Sequence, residues 1–402
     1  MDMIRRWWWR RKNRSESNLQ ASYWNTFFRA MAIGLLGIFV PIYVYLIGVE
    51  WGSGWKTGVV FLMFFLALTR LTVIVAVWVT ARLIEVKGFR WSITVAGFLG
   101  VVYYGLLVMA ERSVWWLVPA SVVLGFEIVL YWIPRLSMNV DFGHKERMGK
   151  EIGVRNMINR GSSVLGPFVG GIIAGMWGFD ILFGVGVSVL VMSLIPIYFM
   201  EKHKHEDGVG FGDLASFWKD EKQSLVSFWG QGIMDGVSAW IWPLFVFIVI
   251  GSLEELGAVT SAALGVSMLG VFLASKSFDW LRSFGGDEDE RLFVTGNVIT
   301  AVMMVVRGLA RGVWSVFGLD LLYQAALPWM SVPLYGYIYT LAERKGVVRV
   351  ISYREIFYSL GVVLVAVVGV VVLMWPGGWQ IVFGIGALGG LMTLPMRKES
   401  NQ

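Results

Sequence analysis

The chain has 402 residues, of which 56% are hydrophobic and only 15% charged; a soluble domain carries about 25% charged residues. There is no cysteine, which excludes disulfides, thiolate metal sites and a cysteine nucleophile. The formal charge of +6 does not point to nucleic acid, because the basic residues flank apolar blocks of about twenty residues, the length that crosses a ~30 Å hydrocarbon core. This is the composition of an all-α, multi-pass membrane protein with membrane lipid as its surroundings.

In chain order, residues 1–25 open with "MIRRWWWRRKNR". Its basic run precedes a polar segment rather than an apolar core, so it is not read as a secretory leader. Tryptophans among arginines suit the lipid headgroup level; an interfacial anchor and a basic tail both fit. Apolar runs bounded by charges or turn residues then predict twelve transmembrane helices. The first six span 26–48, 58–82, 91–110, 114–134, 152–176 and 180–200. A polar segment, 201–225, contains "LASFWKDEKQSL", which predicts a short amphipathic helix on the membrane surface. The second six span 226–250, 256–279, 290–309, 314–340, 351–375 and 379–396, with a tail at 397–402. The domains are thus an N-terminal half at 26–200, a linker at 201–225 and a C-terminal half at 226–396.

Basic residues set the orientation. With the N-terminus inside, only Lys56, Arg112, Arg307 and Arg311 fall outside, and Arg70 and Arg160 fall within the membrane; the rest of the 34 lie inside. Both termini are therefore placed in the cytoplasm of a cell-membrane protein. "PIYVYLIG" from Pro41 matches "PLFVFIVIG" from Pro243, and "KEI" at Lys150 matches "REI" at Arg354. Both pairs lie about 200 residues apart, which indicates a duplicated six-helix unit.

The stretch "GSSVLGPFVGG", 161–171, places Ser162, Gly166 and Gly170 four apart on one helical face, with Pro167 bending the helix. Helix 8 repeats the spacing with Gly257, Ser261 and Gly265. Small residues let membrane helices approach closely. Gly153, Ser162, Gly166-Pro167 and Gly170-Gly171 together resemble the helix-5 signature of the major facilitator superfamily, with Ser162 replacing one glycine. "ARLIEVKGFR", 81–90, is similar to the family's loop after helix 2 through Glu85, Gly88 and Arg90, while Ala81, Val86 and Phe89 depart from it. The equivalent loop after helix 8 keeps Ser275 and Asp279.

The resemblance implies alternating access by two rocking halves, helix 5 packed on helix 8, and a cavity lined by helices 1, 4, 7 and 10. The helix-5 signature points to a proton-coupled antiporter exporting a small, lipophilic or cationic molecule. A proton-coupled symporter importing a sugar or organic acid is the alternative. Charges inside the membrane are costly, so each marks a candidate site. Arg70 and Glu127 lie at similar depth and are expected to pair; Arg160 and Asp235 are also at comparable depth. Glu127 and Tyr131 share a face of helix 4 with Arg135. Gln231, Asp235 and Trp242 share one on helix 7, and Asp320 and Gln324 one on helix 10. Glu127 and Asp235 are the candidates for proton or cation binding, because a low-dielectric cavity favours protonation. Asp320 is expected to reach outer water.

An enzyme is not indicated. The three histidines, His144, His203 and His205, lie in connectors, and no phosphate-binding glycine loop occurs. The acidic "GGDEDE", 285–290, reads as a solvated loop. No cofactor and no metal are called for. The partners expected are a small-molecule substrate and protons, with the protein acting as a monomer.

Overall fold

The computed structural model describes residues 20–52, 54–141, 158–159, 161–200, 211–283 and 288–396, and every regular element among them is helical. Eight segments are long and apolar enough to cross a membrane. One of these, Gly161–Tyr198, is two helices joined at Gly178, whose φ of 84° disfavours any residue with a Cβ. Three more helices, which are more polar or shorter, complete a set of twelve: Glu288–Arg307, Val313–Lys345 and Gly378–Leu391.

We number them α1 (Gln20–Gly52), α2 (Trp55–Lys87), α3 (Phe89–Ala110), α4 (Leu117–Asp141), α5 (166–177) and α6 (179–192) in the first half. The second half holds α7 (Lys222–Ile250), α8 (Leu253–Ser283), α9 (Glu288–Arg307), α10 (Val313–Lys345), α11 (Val347–Val372) and α12 (Gly378–Leu391). Most helices run a few residues beyond their predicted ends, because charged residues such as Lys87 and Lys345 continue the last turn where cations meet the negative end of the helix dipole. The largest departure is helix 5. The chain bends at 164–165 before α5 begins, and 152–157 lie outside the described residues.

The two halves meet through α2 packed along α11, α5 along α8, and α1 against α7. Gly377, with φ 79°, turns the chain between α11 and α12 as Gly178 does between α5 and α6. The amphipathic helix forms at Phe211–Asp220. It docks on the start of α11, where Phe217 lies 4.9 Å from Tyr353, ring centre to ring centre, and Trp218 stacks on Phe357 at 5.5 Å.

Candidate substrate and proton site

The helices at the molecular centre are locally broken, and the breaks shape the site. In α7 the α-helical path stops at Gly236, takes one π-helical turn over Val237–Ile241 and resumes at Trp242 with Pro243 in its first turn. Such turns rotate side chains out of register and recur at functional sites. α10 carries Pro328 and Pro333 inside the helix, and α4 carries Pro134. Proline lacks the N–H that would bond the carbonyl four residues earlier. For Pro134 that carbonyl is Leu130, and Ser92 of α3 donates its hydroxyl to it at 2.8 Å. Arg135 follows directly on this reinforced bend.

Two adjoining cavities lie between the halves, sharing Ser163 and Leu264. The more polar one, ≈ 300 Å³, is lined by Trp132 and Arg135 of α4, Gln231 and Asp235 of α7, and Ser331 and Tyr335 of α10. The other, ≈ 350 Å³, takes Gly34 and Gly37 from α1, Ser238 and Trp242 from the rebuilt part of α7, and Asp320 and Gln324 from α10. Helices 1, 4, 7 and 10 thus line the centre.

The charges are arranged differently from the pairing expected. Glu127 pairs with Arg29 of α1, not with Arg70, and does not line either cavity. The Arg29 guanidinium also lies 3.5 Å from the Tyr131 ring centre. Arg70 instead faces the Tyr358 ring of α11 at 5.3 Å. Asp320 does not reach outer water: it is 2% exposed and pairs with Arg307, which is itself fully buried. Arg307 is held between the rings of Tyr323, 3.6 Å, and Trp242, 4.1 Å, with Ser238 at 3.3 Å. A third buried arginine, Arg354 of α11, bonds Glu355 at 2.5 Å and the Gln231 side-chain oxygen at 3.1 Å. Asp235 lies within electrostatic reach of Arg354.

Sequence reading missed Arg29, Arg135, Arg307 and Arg354 as residues buried in the protein because each lies near a helix end, where positive charges count as cytoplasmic or outer anchors. The available signal was spacing: Glu127, Tyr131 and Arg135 share one helical face, which a cation in the aqueous loop does not require.

The glycine stretch packs on two sides at once. Gly166 and Gly170 face α1, where an added Cβ would stand 2.5 Å from the Gly34 carbonyl carbon and 2.5 Å from the Leu35 oxygen. Gly171 and Gly257 form the α5–α8 contact: a Cβ on Gly171 would meet the Leu253 oxygen at 2.6 Å, and one on Gly257 would collide with the Pro167 oxygen. The contact with α8 is therefore made by the face of Pro167 and Gly171, beside the expected stripe of Ser162, Gly166 and Gly170. Ser261 accepts a hydrogen bond from the Phe168 N–H at 2.8 Å, satisfying a donor that the first turn of a helix leaves free. Gly265 has open space, with only Val164 at 4.0 Å. Ser162 donates to the Ile158 carbonyl at 2.5 Å.

At the α2–α3 turn Gly88 has φ 81° and Arg90 donates to the Met200 carbonyl at 3.0 Å; Glu85 is half-buried with no charge partner among the described residues. Gly153, Arg160, the side chain of Asp279, the three histidines, the N-terminal segment 1–19, residues 285–287 of the acidic loop and the tail at 397–402 lie outside the described residues.

No protein-family profile matches the chain. It is 21% identical over 367 residues to the multidrug resistance protein MdtG of Proteus mirabilis, covering 87% of this chain and 88% of that protein. It is also 21% identical over 365 residues to the multi-drug resistance efflux pump PmrA homolog of Lactococcus lactis, covering 88% and 87%. Among solved structures it resembles the human organic anion transporter MFSD10, with a TM-score of 0.69 at 12% identity over 95% of this chain and 99% of that one. It also resembles the E. coli fucose:proton symporter FucP, with a TM-score of 0.65 at 12% identity over 95% and 98%. The twelve-helix fold, the central cavities and these likenesses converge: the chain has the fold of the major facilitator superfamily transporters and is similar over most of its length to proteins named for multidrug resistance and efflux.

Proposed function

We propose that the protein is a proton-coupled antiporter that exports a small lipophilic molecule from the central cavity by alternating access, as a single chain with both termini in the cytoplasm. The observation that carries this reading is Asp235. Asp235 is an acid that lines the polar cavity itself, on the helix whose π-helical turn reshapes the site. A carboxylate there accepts either a proton or the cationic group of a substrate, and mutual exclusion of the two is what couples their opposite movements. The contact of α5 on α8 supplies a surface on which the halves rock. The efflux named for one relative, and the multidrug resistance named for the other, support export.

The test is a proteoliposome assay with ethidium, a lipophilic cation, as the probe. An outwardly directed proton gradient is expected to drive ethidium inward, and adding ethidium to be expected to release lumenal protons. Movement of the probe and protons in the same direction would replace antiport with symport.

A further inference from the structure

Among the described residues, the polar cavity holds one buried cation with which no acid pairs. Arg29, Arg307 and Arg354 each pair with an acid. Arg135 is 7% exposed and lines the cavity, yet no carboxylate among the described residues pairs with it. Among the described residues its polar contact is the Asn159 side-chain oxygen at 3.5 Å, at the limit of a hydrogen bond, and its Nε has no partner there. Its guanidinium rests over the Trp132 ring at 4.6 Å, which fixes the group without neutralising it. A buried guanidinium lacking a counter-ion is costly, and a planar carboxylate satisfies its fork of donors two at a time. The same ≈ 300 Å³ space is bounded by Asp235, which suits an amine, and by Tyr335 and Tyr339, which suit an apolar or aromatic body.

We propose that this cavity recognises amphoteric amphiphiles, with the anionic group held by Arg135, the amine by Asp235 and the aromatic body between them. The inference rests on reading the cavity as the transport site and adds the substrate's charge pattern. The amine competes with the proton at Asp235, so coupling is kept. The carboxylate has no proton to compete with at Arg135, and supplies selectivity alone.

The test compares three compounds of one shape by their dissociation constants for the purified protein: 4-(2-aminoethyl)benzoate, 2-phenylethylamine and 4-ethylbenzoate. The amphoteric compound is expected to bind about tenfold or more tightly than either other, since each charge-assisted contact is worth roughly that factor or more. Arg135→Gln is expected to reduce its binding to the level of the amine, and Asp235→Asn to that of the benzoate. Arg135→Lys keeps the charge but loses the fork, and is expected to fall between. If a variant does not fold, the wild-type ratio decides. Equal binding of amine and amphoteric compound by the wild type, an unchanged ratio in Arg135→Gln, or no binding of any of the three at their solubility limit overturns the proposal. Ethidium–proton exchange is read separately. Exchange without the amphoteric preference sinks this inference alone, and the preference without exchange sinks the antiport reading alone.

Discussion

Replacing Arg307 with methionine is expected to destabilise the protein severely, and a second replacement is expected to rescue it. Arg307 is fully buried at the end of α9 and is the counter-ion of Asp320, which is 2% exposed on α10. Removing one member of a buried pair strands the other charge and costs about 3–5 kcal/mol. The variant also loses stacking on Tyr323 and Trp242, at roughly 0.5–2 kcal/mol per ring, though methionine recovers part of that by filling the same space. The stranded carboxylate therefore dominates the cost. The double variant Arg307→Met/Asp320→Leu removes it, and replacing a whole buried pair with apolar residues is neutral or favourable by about 1–4 kcal/mol. Thermal unfolding in detergent, followed by tryptophan fluorescence, should place the double variant above the single one, by at least about 2 kcal/mol when converted to free energy. Equal melting temperatures for the two would mean that Asp320 is already neutralised by something other than Arg307, and the reasoning would fail.

Other substitutions test separate parts of the account. Gly257→Leu must push α5 away from α8, because even a Cβ collides with the Pro167 oxygen; a loss of roughly 1–3 kcal/mol and of transport is expected, while Gly265→Ala, in open space, should behave as wild type in the same melting and proteoliposome assays. Ser92→Ala leaves the Leu130 carbonyl, freed by Pro134, without its donor; a melting-point loss equivalent to about 1–3 kcal/mol is expected, and an unchanged melting point would show that the bend does not depend on α3. Glu111, in the turn after α3, has its carboxyl held above the ordinary range by partial burial and by the charge of Asp180. A raised folded-state value means that stability falls as pH rises from the unfolded value, about 4.3, through the folded one. Glu111→Gln should therefore raise the melting temperature at pH 7, and the gain should vanish below about pH 4; a gain that persists at acid pH would be unrelated to the charge.

Helix number, cavity-lining helices and the α5–α8 contact were legible in the sequence because each leaves a periodic trace: apolar runs of membrane length, polar residues four apart, and small residues four apart. Partner choice was not. Glu127 and Arg70 sit at similar depth, but depth does not fix azimuth, and the helix face carrying Glu127 turns to α1 and Arg29. Arg307 looked like an outer anchor because sequence counts the distance to a helix end, while burial is set by neighbours such as Trp242 and Tyr323, which come from other helices. The π-helical turn of α7 was hidden as well. Nothing in "VSAWI" departs from helix propensity, and only the following Pro243 hints that the hydrogen-bond ladder is interrupted there.

The measurement that most directly tests the central claim is pH-driven ethidium accumulation in proteoliposomes carrying Asp235→Asn, set beside passive ethidium exchange at equal pH on both sides. An amide cannot exchange a proton but can still accept hydrogen bonds. The variant is expected to lose accumulation and to keep exchange only at ethidium concentrations raised about tenfold or more, since the cation's carboxylate partner is gone. Accumulation at the wild-type rate would show that the proton travels through another group and would contradict the account.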